Sequence, residues 1–356
     1  MRGQPGGGLL NWPLPGASFG APFCEVSIRR FWRPLKHLVL LGLVAVLDRA
    51  LRLLPLSWSH GLGQGLGGLF FDLVPYERHK TLGTLAKAYP QADPAWLRRT
   101  GKETFQQLGR SAAEFFRMAD FKPADIDAWV AEVQGFEHLE NAVKAGRGVV
   151  AVTAHLGHWE LLAAWVAKRV PVSVVARQAY DARLDEALVA RRKLHGVHIF
   201  GRNTSVRPIL KWLKDGKCLG VLADQDTGVD SLYVDFFGHA AKTPSGPAFL
   251  AQLTGADLIS GFCFRRPDGR YRLVFEPAIP VPPRGDAGSM DLWPAVQEYT
   301  RRTEAAIRQL PGTWAWNHSR WRSDIRKPST GWDPRLADAC LQRIQAWRDA
   351  GRPELH

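Results

Sequence analysis

From Val133 onward, short runs of aliphatic residues alternate with longer amphipathic segments, and this alternation restricts the fold more than any other feature of the chain. Gly148-Val-Val-Ala-Val-Thr153 reads as a buried strand, followed by a helix over about 158–169. Val172-Ser-Val-Val-Ala176 is a second strand, with a helix over 181–194, and Val197-His-Ile-Phe200 a third, with a helix over 204–215. Cys218-Leu-Gly-Val-Leu222 is a fourth; the runs 258–264 and 270–275 add two more, joined by the turn Pro267-Asp268-Gly269. A helix over 291–309 and a Trp-rich tail follow. Strands with no polar face, separated by helices, find cover on both sides only in a mainly parallel or mixed sheet flanked by helices. The expected fold class is therefore α/β, and ligands in such sheets bind beyond the carboxyl ends of the strands.

Ahead of this region the chain divides by composition. Residues 1–29, rich in Gly and Pro without apolar periodicity, read as a disordered extension. The run Leu38–Leu47 follows a basic group formed by Arg29, Arg30, Arg33 and Lys36, but Asp48, Arg49 and Arg52 interrupt it. A span of about 20 apolar residues is missing, so residues 30–75 read as helices lying in or dipping into the cytoplasmic leaflet of a membrane. The alternative is a helical hairpin buried against the following domain. Residues 76–130 are expected to be helical, with Trp96, Leu97, Phe105, Leu108, Phe115 and Phe116 at three- and four-residue spacing. Domain bounds of 76–325, with a helical tail over 326–356, complete the division.

A formal charge of +13 selects anionic partners, either nucleic acid, acidic lipid headgroups or an acidic protein. The 14 Trp residues favour a membrane–water interface, although indoles also stack on bases. A basic nucleic-acid-binding protein is thus the competing class, without a recognised binding motif in its support. Cys24, Cys218, Cys263 and Cys340 lie far apart with no CxxC pair, the pattern of free thiols rather than of disulfides or zinc ligation.

The segment Thr153-Ala-His-Leu-Gly-His-Trp-Glu160 falls where a buried strand ends and a helix begins. On a continuous helix His155 and Glu160 would point roughly 140° apart. With His155 in the turn and Gly157 bending the backbone, Glu160 is expected to reach the imidazole, fix its tautomer and stabilise the imidazolium. The alternative is a structural histidine beside a glutamate favoured by the helix dipole. A metal site built on His155, His158 and Glu160 lacks the HExxH spacing, so none is expected. Gly63-Gln-Gly-Leu-Gly-Gly68 matches GxGxxG in form but follows no strand, and helix packing or membrane contact explains it better. Arg177, Arg202 and the Asp224-Gln-Asp226 run each follow a strand end, where arginine can hold a phosphate bidentately.

In their order along the chain these blocks resemble the bacterial lipid A biosynthesis acyltransferases. The resemblance is carried by His155-Leu-Gly-His-Trp-Glu160, an H-x4-E element, by Val174–Arg177, by Gly201-Arg202-Asn203 and by Leu222–Gly228. It continues through Phe236–Ala248, Leu253-Thr-Gly-Ala256 and the tail Trp314-Ala-Trp-Asn-His-Ser-Arg-Trp321, covering roughly 30–325. Ser319 stands where a second basic residue is common. The resemblance implies transfer of a fatty acyl group from acyl carrier protein or coenzyme A to a hydroxyl of a lipid A precursor. A glycerophospholipid or a phosphatidylinositol mannoside is the alternative acceptor. It implies work at the cytoplasmic face of a bacterial inner membrane with no metal or redox cofactor, His155 as general base and Glu160 orienting it. Arg177 and Arg202 are implied to bind donor or lipid phosphates or the tetrahedral oxyanion. Asp224, Asp226 and Thr243, which lie in the same blocks, join the substrate- or donor-binding set.

Overall fold

Valine-rich runs such as Val149–Thr153 crowd a helix but suit a pleat, and each settles as a strand between helices with marked starts. The computed structural model describes Gly42 and residues 44–176, 181–201, 204–283, 285, 288–327 and 334–352. Residues Ala45–His356 form one compact unit. After a helical stretch over 45–53 come α1 (Leu56–Leu73), α2 (Pro75–Ala88), α3 (Pro94–Met118) and α4 (Pro123–Trp129). Three of these begin with proline, whose missing N–H has no partner at a first helical turn anyway. Asp93 caps α3 by accepting from the Ala95 and Trp96 N–H groups at 2.9 and 3.0 Å.

The α/β region runs β1 (Val130–Gln134), α5 (Phe136–Lys144), β2 (Val149–Thr153), α6 (Trp159–Ala167), β3 (Val172–Ala176), α7 (Ala182–Leu194) and β4 (His198–Gly201). It continues with α8 (Val206–Lys214), β5 (Cys218–Leu222), the hairpin β6 (Ser231–Phe236) and β7 (His239–Pro244), α9 (Gly246–Thr254), β8 (Asp257–Arg265) and β9 (Tyr271–Phe275). Then follow α10 (Trp293–Gln309) and α11 (Pro334–Asp349). Seven strands form one sheet in the order β1-β9-β8-β2-β5-β3-β4, and β6 and β7 form a separate antiparallel pair. All neighbours in the large sheet are parallel except β8 with β9. The expectation of a mixed, mainly parallel sheet flanked by helices is met.

Core side chains fill both faces. Leu161, Leu162, Trp165 and Val166 of α6 pack with Val149, Val172 and Ile259 on one face. Val150, Val152, Leu219 and Leu258 meet Ala251 and Val296 on the other. Asp235, buried in β6, receives Arg348 of α11 and Arg352 and so ties the last helix to the hairpin.

The glycine cluster that imitates a nucleotide motif is a helix contact. A Cβ on Gly63 would lie 2.5 Å from the Gly109 carbonyl oxygen, and one on Gly109 would lie 2.1 Å from that of Gly63. Helices α1 and α3 therefore touch backbone to backbone, with Phe71 and Phe105 packed at 5.6 Å beside the crossing. Among the described residues no helix is long and apolar enough to cross a membrane. Much of the apolar run Leu38–Leu47, and all of residues 1–29, lie outside the described residues.

Gly63→Leu forces the two backbones apart and should lower unfolding stability by about 2 kcal/mol. Gly65→Ala, where an added Cβ meets nothing within 4 Å, should leave it unchanged or slightly raised. Urea denaturation of the two variants checks this; equal midpoints would contradict the packing account.

Candidate active site

Strands β2 and β5 are neighbours, and Thr153 lies opposite Leu222. His155 and Asp224 stand two residues past that pair, one beyond the carboxyl end of each strand, so the register itself brings them together. Asp224 Oδ1 lies 2.9 Å from His155 Nδ1, and Asp224 Oδ2 accepts from the His155 backbone N–H at 2.8 Å. A third donor, Trp314 Nε1, reaches Oδ2 at 2.8 Å. The Asp224 side chain is 1% exposed and that of His155 23%, so the carboxylate is shielded while the imidazole is reachable.

The turn holding His155 needs Gly157. Its φ is +61°, and an added Cβ would sit 1.9 Å from the Cys263 carbonyl oxygen. Gly157 N–H donates to Thr313 O at 3.0 Å, Ala315 N–H donates to His155 O at 3.0 Å, and Leu156 bridges Trp314. The tryptophan tail is thus sewn along the turn that holds His155. The Trp159 ring lies edge-on to His155 at 5.1 Å, and the His318 ring lies 6.0 Å away.

Burial opposes a charge on either partner, but the two charges outweigh it. Asp224, facing His155 and receiving its hydrogen bonds, is held well below the usual carboxylate range. Burial lowers the basicity of His155, yet the charge and hydrogen bond of Asp224, with the charge of Glu160 added, raise it above its ordinary value. An imidazole with Nδ1–H given to a buried carboxylate presents Nε2 as the base.

The expected contact between Glu160 and His155 is replaced by another. Both Glu160 oxygens are taken by Arg192 of α7, at 2.9 Å from Nε and 2.6 Å from Nη2. The first turn of α6 directs Glu160 toward α7 rather than back over the His155 turn, so the acid acts on the imidazole through space. Asp224, expected in the substrate- or donor-binding set, makes its three acceptor contacts with His155 and Trp314. Asp226 accepts from the Ser323 N–H at 2.6 Å and Oγ at 3.0 Å. Thr243 accepts from Arg320, whose Nη1 donates to Lys242 O at 2.6 Å. Asp226 therefore holds Ser323 just past the tail, and Thr243 holds Arg320 within it. Arg177 and Arg202 lie outside the described residues.

Sequence reasoning weighed His158 only as a metal ligand and met His318 only within the tail motif, and it passed over Arg192. His158 caps α6 by accepting from the Leu161 N–H at 3.3 Å, while its Nε2 lies 3.9 Å from Glu114. Glu114, buried in α3, gathers Arg265 at 2.6 and 2.8 Å, Arg110 at 3.0 Å, the Tyr271 hydroxyl and His60. Burial would raise its pKa, but Arg265 above all brings it down to about 2. The cap had a sequence signal, a histidine just before an apolar helical run; the network joins α1, α3 and β8 and had none. Among the described residues no group of three or more His, Cys, Asp and Glu side chains is arranged to hold a metal ion.

The profile of the family described as bacterial lipid A biosynthesis acyltransferase matches residues 29–323. A phosphatidylinositol mannoside acyltransferase from Mycolicibacterium smegmatis is 26% identical over 283 residues, 78% of this chain and 90% of that one. A protein of the same name from Mycobacterium tuberculosis is 26% identical over 257 residues, covering 70% and 78% of the two chains. A lipid A biosynthesis lauroyltransferase from Escherichia coli K12 is 27% identical over 273 residues, 76% and 87% of the two.

Burial pushes His60, His158 and His318 down to about 4 from an ordinary 6.5. They stay neutral in the folded chain while the unfolded chain takes up their protons. Their stabilising contribution is full above about pH 6.5 and is lost as pH falls toward 4. His155, shifted the other way, offsets part of this. Unfolding free energy should drop by on the order of 2 kcal/mol or more between about pH 7.5 and pH 5. His158→Asn, which keeps a cap acceptor, should flatten the slope; a denaturation midpoint that ignores pH would refute the assignment.

Proposed function

The chain belongs to the bacterial lipid A biosynthesis acyltransferase family, and from that premise we propose that it carries a fatty acyl group from a thioester to a hydroxyl of a glycolipid, with His155 as the base and Asp224 as the group that holds it. The observation that carries this reading is the His155 Nδ1–Asp224 Oδ1 contact of 2.9 Å at the carboxyl edge of the sheet. With Nδ1–H engaged, Nε2 takes the acceptor's proton as its oxygen attacks the thioester carbonyl. The tetrahedral intermediate collapses, the C–S bond breaks, and the imidazolium returns the proton to the leaving thiolate. Asp224 stabilises the imidazolium throughout without itself being protonated.

The acceptor we favour is a lipid A precursor, in line with the lauroyltransferase relative. A phosphatidylinositol mannoside acceptor is the second reading, supported by a mannoside acyltransferase whose length is matched over 90%. The donor is an acyl thioester on acyl carrier protein or coenzyme A; the charge of +13 suits an acidic carrier and a phosphorylated lipid alike. Arg177 and Arg202 are proposed to meet phosphate or the oxyanion. For placement we propose the cytoplasmic face of a bacterial inner membrane. Support comes from α1, which exposes Trp58, Leu62, Leu66, Leu69 and Leu73 at three- and four-residue spacing, the stripe of a helix lying at an interface.

Two measurements test the proposal. Acyl transfer by purified protein should fall at least about 10³-fold in His155→Ala and about 10²-fold or more in Asp224→Asn, each with its fold intact. Mass spectrometry of total lipids from cells with and without the gene should show one acyl chain missing from a single glycolipid class. Transfer that survives loss of His155, or an unchanged lipid profile, overturns the reading.

A further inference from the structure

Asp224 reaches the imidazole with its side chain, and so does the residue after it. The Gln225 amide nitrogen lies 3.3 Å from His155 Nδ1 and 3.5 Å from Nε2. Successive side chains of extended backbone point to opposite faces; a bend at Gln225 brings this one back to the same ring. Buried carboxylates hold the chain on both sides of the bend. Asp224 accepts from His155 and Trp314, and Asp226 accepts from the Ser323 N–H and Oγ. Gln225 itself is half-buried, so its amide is carried on a fixed base yet stays within reach of a ligand. An atom almost equidistant from the two ring nitrogens lies along neither lone pair, because those directions diverge. Nδ1–H is in any case given to Asp224, so the amide hydrogens are not spent on the imidazole. An amide oxygen in that place would face the lone pair of Nε2, and the NH2 group is therefore the end that belongs there. The other neighbours of the ring offer less: both His318 nitrogens are buried, and Trp159 meets the imidazole edge-on.

Resting on the reading of His155 as the base for acyl transfer, we infer that Gln225 is a catalytic residue whose amide N–H donates to the thioester carbonyl oxygen as that oxygen takes up negative charge. The reacting group brings two oxygens to one carbon, that of the attacking hydroxyl and that of the carbonyl. They lie closer together than the 3.5 Å between His155 Nε2 and the Gln225 amide. Base and donor can therefore each meet one oxygen at hydrogen-bond distance. The hydroxyl proton goes to Nε2 as its oxygen bonds to carbon, and the carbonyl π pair moves onto the carbonyl oxygen, facing the amide. When that pair returns, the C–S bond breaks, the thiolate takes the proton from the imidazolium, and the contact to Gln225 weakens again. A donor fixed before the reaction and engaged most strongly in the transition state lowers the barrier without tightening the ground state.

The test compares full-length wild type with Gln225→Met, which keeps the length and loses the donors, and with Gln225→Glu, which keeps the shape and puts negative charge where the oxyanion forms. Transfer from lauroyl-coenzyme A is measured with a lipid A precursor or a phosphatidylinositol mannoside as acceptor, whichever the wild type acylates. The pH midpoint of His155 carbethoxylation by diethyl pyrocarbonate, read by mass spectrometry, reports on the base separately. Gln225→Met should lower kcat about 10²-fold, with the KM of donor and acceptor within about threefold of wild type and the His155 midpoint in place. Gln225→Glu should be slower still, although its added charge moves the midpoint up. A glutamine that only braces the ring would leave the Glu variant nearest to wild type. One that only tunes the base would shift the midpoint in the Met variant in step with the lost activity. Either result overturns the inference. If Gln225→Met does not fold, a Gln225→Glu protein that keeps wild-type kcat is equally decisive. An active wild type with unaffected variants removes the role of Gln225 and leaves the proposed function standing; a wild type that acylates neither lipid removes both.

Discussion

The carboxylate of Asp224 is the point on which the site turns. It is withdrawn from water, an arrangement that is costly unless every lone pair is answered. Here the answers come from the backbone and ring of His155 and from the indole of Trp314. In that dry setting the imidazole is held in one tautomer and its protonated form is stabilised, the two properties a general base toward an alcohol requires. Because the donors come from the turn after β2 and from the tail, the same carboxylate also decides where the tail lies.

That tail explains the tryptophan excess in part. Trp314 and Trp316 are fully buried, their rings perpendicular at 4.5 Å, and the strand-like contacts of residues 313–315 with 155–157 make them one wall of the His155 turn. Farther along, Arg320 and Ser323 fasten the chain to Thr243 and Asp226. Two residues of the signature blocks, Thr243 and Asp226, thus hold the tail and the chain just past it. On the other side of the turn, His158 caps α6 and sits above the Glu114 network, so the helix that carries Glu160 is anchored by α3 from beneath.

Legibility differed by element for physical reasons. Strands β2, β3, β5 and β9 could be read to within a residue, because unbroken aliphatic runs bounded by polar or glycine residues report burial directly. The hairpin β6–β7 was not expected, since Leu232, Tyr233 and Val234 are interrupted by Asp235, a charge whose partners Arg348 and Arg352 lie more than a hundred residues away. In the site, His155 and the turn at Gly157 were legible from the strand-to-helix switch. The identity of the partner carboxylate was not, because Glu160 is near in sequence and Asp224 near in space.

The sequence by itself determined an alternating α/β chain with a histidine at a strand's carboxyl end, because side-chain periodicity and glycine at a left-handed turn are local constraints. Only the tertiary structure decided which acid serves that histidine and which arginine holds the other acid. The reason lies in the strand order: β5 enters beside β2, ahead of β3, and a crossover of that kind sets register between segments that share no local signal.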